Sequence, residues 1–338
     1  MFCCPHCFYD NFLQERIIAI SKERGTCSFC KKANIPLIPP NELFDYFQPL
    51  VDLYEKDKNG KPINVLIQQD WNVISLNTSE LQFSLLAYVT EDHDIKESRY
   101  KSGLIHDKAS IEQWENFREE LKHQNRFFPK KVPDKEHLVQ LLKYTVLSSN
   151  VNLNKFFRAR LNADKPIPIK KMRKPPAKIV TNGRANPIGI PYLYLASTIG
   201  TAISEIRGHK GETVTVAEFK TKSKIKLSLA DLRNPKETIS PFRLDEDDLP
   251  LLYKYMPYLT MLGEELSKPI TPREANLEYL PSQYLCEIIK HMGFHGIVYK
   301  SSIANGDNYV IFADNKLKII KTEQYKITDI FIESEKLN

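Results

Sequence analysis

Residues 156–207 read FFRARLNADKPIPIKKMRKPPAKIVTNGRANPIGIPYLYLASTIGTAISEIR. Between Lys165 and Ser204 there is no aspartate or glutamate, while Lys165, Lys170, Lys171, Arg173, Lys174, Lys178 and Arg184 all fall inside. The acid-free run ends at one carboxylate, Glu205. FFRAR has the character of a strand, the glycines and Asn-Pro of NGRANPIG mark loops, and PYLYLASTIGTAISEIR reads as a short strand leading into a helix. Two arginines before a loop, one within it and one glutamate on the helix behind it suit a ligand that carries both phosphates and sugar hydroxyls.

Taken singly, these residues form a kit. On a strand Arg158 and Arg160 share a face, with Ala159 opposite. Both can approach one ligand, or one binds while the other pairs with a carboxylate, and only one is expected to be essential. A guanidinium presents a rigid donor fork suited to a pyrophosphate. Arg184 lies in a loop where Gly183 would let backbone amides approach a phosphate. Neither GxGxxG nor GxxxxGK[ST] occurs, so the two common nucleotide loops are excluded. If TIGTAISEIR is helical, Glu205 stands beside small residues, Ala202 among them, that admit a ligand. A lone carboxylate cannot supply the pair of a typical glycosidase. It can hydrogen-bond a ribose hydroxyl and stabilise positive charge developing at the anomeric carbon, and a nicotinamide leaving group departs neutral, without a proton. The competing reading is a surface glutamate ion-paired with Arg207 or Arg158. Ser301 and Ser302 follow the strand-like GIVYK; with no G-x-S-x-G elbow around them they are not read as nucleophiles, but they can orient an amide or a ribose.

The rest of the chain is ordinary for a folded protein. Its 338 residues allow about two domains, with 27% charged and 42% hydrophobic residues. The formal net charge of +6 favours anionic ligands without choosing between polyanions and small phosphorylated molecules. The longest apolar runs, such as FSLLAYV, fall far short of the roughly 20 residues of a membrane span. The amino terminus has cysteines where a signal peptide would need a basic flank and an apolar core, and a cytoplasmic, non-membrane protein is expected.

Five of the six cysteines fall within the first 30 residues. Cys4 with Cys7 and Cys27 with Cys30 form two CxxC pairs, the four ligands a structural zinc requires in a closed tetrahedron. Cys3 or His6 could enter in another register, and the bland alternative is a set of surface thiols. Helical patterns follow: ELFDYFQPLVDLYE after Asn41, ELQFSLLAYV after Asn77, SIEQWENFREELKHQNRFF from Ser110 and DKEHLVQLLKYTVLSS from Asp134. DKNGKP reads as a turn, and VLIQQDWNVIS as either a strand or the start of a helix. Residues 1–145 therefore read as a zinc-stapled, mainly helical accessory or regulatory domain. Residues 146–338 alternate TVTVAEFK, KIKLSLADL, GIVYK and YVIFA around a helix-rich insert and QYLCEIIKHMG, which ends at Gly293 as a left-handed cap. That is a mixed α/β (α+β) domain without regular crossover helices.

The region from about Phe156 to Phe312 resembles the RES domain, named for arginine, glutamate and serine and known from bacterial toxins that destroy NAD. The resemblance rests on the arginine-bearing strand and on GR-x-N-x-x-G at Gly183 to Gly189. LYLA followed by A-x-x-E, from Leu193 to Glu205, adds to it, as does Y-x-S followed by G-x-N-x-V-x-F, from Tyr299 to Phe312. It implies a fold like that of ADP-ribosyltransferases, with NAD as substrate and its nicotinamide–ribose bond cleaved by water or phosphate. Carried over, the catalytic residues are one of Arg158 or Arg160, then Glu205 and Ser301. Arg184, Asn186, Tyr194, Ser302 and Asn308 are implied as NAD contacts. Ala185 stands where members usually have tryptophan, and Phe242 to Pro281 is long enough for a lid or a partner surface. The amino-terminal half looks like the zinc-containing helical domain found ahead of some RES domains. The partners implied are NAD, an antitoxin or regulatory protein, and a second copy of the chain in a homo-oligomer; no membrane is implied, and nucleic acid is not expected as a substrate. Two rival readings stand beside NAD degradation. One is transfer of ADP-ribose to a protein or nucleic acid, disfavoured because TAIS ahead of Glu205 lacks a second acid. The other is a zinc-dependent nucleic-acid-binding protein, disfavoured because the lysine run has no interleaved aromatic rings.

Overall fold

The computed structural model of the chain describes residues 1–147, 155–163, 165–223, 225–331 and 336. It divides into two compact units, Met1–Lys108 with Asn234–Tyr258, and Ala109–Arg233 with Leu259–Asn338. In chain order the first elements are α1 (Asn11–Ile20), β1 (Glu23–Gly25), β2 (Ile35–Leu37), α2 (Phe44–Val51), β3 (Tyr54–Lys61), α3 (Ile63–Trp71), α4 (Ser79–Thr90) and β4 (Tyr100–Ser102). Next come α5 (Lys108–His123), α6 (Lys135–Leu142), β5 (Phe156–Leu161), β6 (Leu193–Ala196), α7 (Ile199–Glu205), β7 (Thr213–Thr221) and β8 (Leu229–Asp231). They are followed by α8 (Pro235–Thr238), α9 (Asp248–Ser267), α10 (Ala275–Glu278), α11 (Leu280–His291), β9 (Gly296–Lys300), β10 (Asp307–Ile311) and β11 (Leu317–Lys326).

The first unit is mostly helical and starts from the paired cysteines. Two of its helices begin where a short polar side chain takes an orphan amide: Asp10 accepts from Leu13 N ahead of α1, and Thr78 from Leu81 N ahead of α4. The helix expected to run on to Glu55 stops at Val51, and of the DKNGKP stretch expected as a turn all but Pro62 lies within β3. A Cβ at Gly60 would sit 2.1 Å from Tyr100 O, so only glycine lets these backbones approach as they do. The ambiguous QQDW segment is helical, in α3. Part of the stretch expected as a lid is core: Phe242 packs on Phe47 with ring centroids 4.9 Å apart, and Tyr253 packs against Tyr54 and Trp71. No helix among the described residues is long and apolar enough to cross a membrane.

The second unit is a seven-stranded sheet, ordered β11-β7-β5-β6-β10-β9-β8, in which only β8 and β9 run parallel. Among the described residues of KIKLSLADL, the strand is the short β8. Period-two alternation divides the side chains between two faces. Phe156, Leu193, Leu195, Phe219, Val298 and Ile311 pack on one face. Phe157, Ala159, Ala196, Val214 and Val216 pack on the other with Ala202, Ile203 and Ile206 of α7. One seam is open. β5 pairs with β7 over its whole length, but meets β6 at a single position, Phe157 opposite Ala196.

Candidate functional site

The seam between β5 and β6 holds a cavity of about 240 Å³, lined by Phe157, Arg158, Tyr194, Glu205, Tyr299 and Asn308 together with small and aliphatic side chains, Ala202 and Ile206 among them. Strand parity puts Arg158 on the Phe156 side of the sheet, away from Phe157 and Ala159. It nevertheless lines the cavity, because the sheet parts where β5 and β6 stop pairing.

Glu205 ends α7, a helix capped by Thr198, whose hydroxyl accepts from Thr201 N at 3.0 Å. The chain turns sharply at Arg207, with φ 49°. Glu205 Oε1 accepts from Ser301 Oγ at 2.7 Å and from Asn308 Nδ2 at 2.6 Å, two groups that lie about a hundred residues further along the chain. The ion pair with Arg158 or Arg207 weighed from the sequence does not form. Oε2 has no hydrogen-bond partner among the described residues. Ser301 also accepts from Ile303 N and Ala304 N, which folds the loop after β9 around its hydroxyl. At Gly306 an added Cβ would lie 2.2 Å from Thr201 Oγ1, so glycine lets this loop close onto α7.

The two FRAR arginines part company. Arg160 is exposed and donates to Lys171 O at 2.7 Å, outside the cavity. Arg158 has a buried NH1 with no hydrogen-bond partner. Burial, and to a lesser extent the Arg160 charge, pushes its guanidinium down to about 10, against a smaller opposing effect of Asp314. A guanidinium left in this way is a donor set waiting for an anion.

Arg184, Asn186 and Ser302 flank the cavity without lining it. Arg184 lies over the Tyr279 ring, 5.6 Å from its centroid, with NH2 3.4 Å from Ser302 Oγ, and its NH1 is also buried without a partner. Its loop is held from α11: Ser282 Oγ donates to Arg184 O, and Gln283 Nε2 to Gly183 O and Asn186 O. Tyr194 OH donates to Asn186 Oδ1 at 2.7 Å and accepts from Ala185 N at 3.1 Å. The Gly183 amide donates to Asn186 O, so it is not offered to a phosphate. What that glycine permits is the approach of Tyr194, whose hydroxyl would lie 2.7 Å from an added Cβ. Ala185 is buried in this loop and forms no wall of the cavity. Burial raises Tyr194 and Tyr299 above the ordinary phenol range, so both remain neutral hydroxyls. The Ser282 and Gln283 braces carry no local sequence signal, lying about a hundred residues from the loop they hold. Phe157 could have been found from its place beside Arg158.

In the first unit the Sγ atoms of Cys4, Cys7, Cys27 and Cys30 all lie within 4.8 Å of one another, a cluster able to hold a metal ion. Cys4 is 3.4 Å from Cys30 and 3.9 Å from Cys7, and Cys7 is 3.4 Å from Cys27. Cys3 is buried outside the cluster, its backbone bridged to Ile38, and His6 is exposed.

Compared with known families, residues 157–328, more than half of the chain, match the RES domain. The chain belongs to the RES domain family. The matched span takes in the seam, Glu205, Ser301 and Asn308, and stops short of the cysteine cluster. No curated protein matches the chain. Among solved structures, one chain of the M. tuberculosis MbcT-MbcA toxin-antitoxin complex is similar at 11% identity and a TM-score of 0.35, over 56% of this chain and 93% of that one. A likeness at that level carries no argument about function.

Proposed function

We propose that the RES domain of this chain cleaves the nicotinamide–ribose bond of NAD, with water or phosphate as acceptor. The observation that carries the reading is the state of Glu205: one carboxylate oxygen is held by Ser301 and Asn308, and the other is free beside a cavity whose arginine lacks an anion. Held in this way, Oε2 can accept the ribose 2′-hydroxyl and face the anomeric carbon. As the C–N bond breaks, its electron pair leaves with nicotinamide, which becomes neutral, and positive charge builds on the ribose. A fixed carboxylate stabilises that charge more than it stabilises the bound substrate, which is what accelerates the step. A water or phosphate oxygen then bonds to the anomeric carbon, and with water one proton is released to solvent.

Arg158 and Arg184 supply the anion side. Each has a buried guanidinium nitrogen without a partner, a cost to the free protein that a pyrophosphate would remove. At about 240 Å³ the cavity lies below the roughly 300–1,000 Å³ of a site enclosing a whole ligand, so one half of the dinucleotide enters and the other lies outside. Tyr299 and Phe157 offer rings to the nicotinamide. Substrate lying across an open strand seam is in keeping with the resemblance to ADP-ribosyltransferases. Ser301 and Asn308 hold the carboxylate, Tyr194 and Asn186 shape the Arg184 loop, and Ser302 steadies Arg184. In this assignment catalysis belongs to residues 146–338, and an accessory or regulatory role to residues 1–145. Depletion of NAD in the cytoplasm as a toxin or defence effector, restrained by an antitoxin or regulatory protein, is the biological setting the resemblance implies.

We assign zinc to the four cysteines. A tetrahedron with Zn–S bonds of about 2.3 Å has sulfur–sulfur edges of about 3.8 Å, and the separations of 3.4 to 3.9 Å match that size. Such a site is closed, and its contribution is to folding.

NAD labelled in the adenylate half tests the reading. Label released as ADP-ribose, or as its phosphate ester when phosphate is present, supports it. Label bound to protein or nucleic acid reassigns the site to transfer, and intact NAD rejects it.

A further inference from the structure

Charged side chains stand immediately before both groups that hold Glu205: Lys300 precedes Ser301, and Asp307 precedes Asn308. Lys300 and Asp307 are register partners at the end of the β9–β10 hairpin, with Lys300 Nζ 3.1 Å from Asp307 Oδ1. Arg233, two residues beyond β8, reaches the other oxygen of that carboxylate: its NH1 donates to Asp307 Oδ2 at 2.9 Å. Its Nε and NH2 form a fork on Asp231, at 2.9 and 2.5 Å. Asp231 is buried in β8, and β8, β9 and β10 are neighbours in the sheet. Burial by itself would lower the Arg233 guanidinium, but the hydrogen bonds and charges of Asp231 and Asp307 override it and raise the group above its ordinary value.

Asp307 is also fixed through its main chain. Its N–H donates to Ser197 Oγ, and its carbonyl accepts from Ser197 N, both at 2.9 Å. The next residue points to the opposite face of the sheet, where Asn308 Nδ2 reaches Glu205. A lateral shift of Asp307 therefore moves the Asn308 amide, and a shift of Lys300 moves the Ser301 hydroxyl. An exposed ion pair would contribute little, but a forked, partly buried arginine bridging two carboxylates has one geometry.

We infer that Arg233 is a positioning residue for the proposed reaction, setting through Asp307 and Lys300 the place at which Asn308 and Ser301 hold the Glu205 carboxylate. This rests on the role of Glu205 proposed above.

The test uses the full chain with Arg233→Met, Arg233→Lys and Asp307→Asn, following nicotinamide release. Arg233→Met is expected to lower kcat roughly 10- to 100-fold, with KM within about twofold, since a sub-ångström displacement of a reacting group costs rate more than binding. Arg233→Lys, which keeps the charge but not the fork, recovers part of the loss. In an Asn308→Ala background Arg233→Met costs clearly less than it does in the parent, because one of the two paths to Glu205 is already cut. An unchanged kcat, or losses that multiply in the double variant, overturns the inference. If Arg233→Met does not fold, Asp307→Asn is read by the same criteria. If the wild-type chain releases no nicotinamide, the reading of the site has failed, and the positioning role is judged from a crystal structure of Arg233→Lys. Asn308 Nδ2 displaced from Glu205 Oε1 supports it, and the 2.6 Å contact retained contradicts it.

Discussion

Glu205 is exposed, and its substitution tests chemistry with little disturbance of the fold. Glu205→Gln keeps the shape and removes the charge. Nicotinamide release is expected to fall by about 10²- to 10³-fold, the range seen when one electrostatic stabiliser is lost, with a melting temperature close to that of the parent. Arg158 presents the opposite case. Its partly orphaned guanidinium is an unpaired charge in a buried place, so Arg158→Met is expected to melt at or above the parent temperature while losing NAD turnover, a trade between stability and function. The sign of the pH effect follows from the same burial. Arg158 must be protonated to bind a pyrophosphate, and its pKa is held down to about 10. With NAD, kcat/KM should therefore fall as pH rises through about 10, whereas an ordinary arginine would keep it level beyond 12. A flat profile up to pH 11, measured on protein shown to remain folded, would count against a lowered Arg158 pKa, or against Arg158 as the anion contact.

At the scale of elements, the site depends on three pieces: the end of α7, the loop after β9 and the Arg184 loop. Gly183→Ala tests the third, because its Cβ would sit 2.7 Å from both Tyr194 OH and Asn186 Oδ1. Breaking that hydrogen bond is expected to cost about 1–3 kcal/mol in chemical denaturation and to raise KM more than it lowers kcat. Much of this scale was legible in the sequence. LYLA followed by TIGTAISE reads as a strand leading into a helix, as found, and Gly293 takes the left-handed conformation expected of a helix end. The parity of FRAR was legible as well, but not which arginine reaches the cavity. That depends on β5 meeting β6 at one pair only, a property of two strands and not of either. β3 was misread because a Gly-containing polar stretch carries turn chemistry, and the close approach of Tyr100 that makes it a strand lies some forty residues away.

At the scale of the whole molecule, the CxxC spacing announced a four-sulfur cluster because the ligands come in two local pairs. The return of Asn234–Tyr258 to the first unit had no such signal: an apolar helix such as α9 reads the same whichever core it joins. The zinc assignment predicts one zinc per chain by elemental analysis. On chelation the Cys7, Cys27 and Ser75 amides, which donate to Cys4, Lys32 and Cys7 carbonyls, should lose protection from hydrogen exchange, while those of β10 keep it. Equal loss in both places would make the metal a support for the entire chain. The proposed reaction breaks one bond in one small molecule, and free nicotinamide, measured by chromatography after mixing the purified chain with NAD, reports it directly. Nicotinamide and an ADP-ribose product in equal amounts are expected from the wild-type protein, and almost none from Glu205→Gln. Release that survives the loss of this carboxylate, or NAD left intact by the wild-type chain, would contradict the proposal.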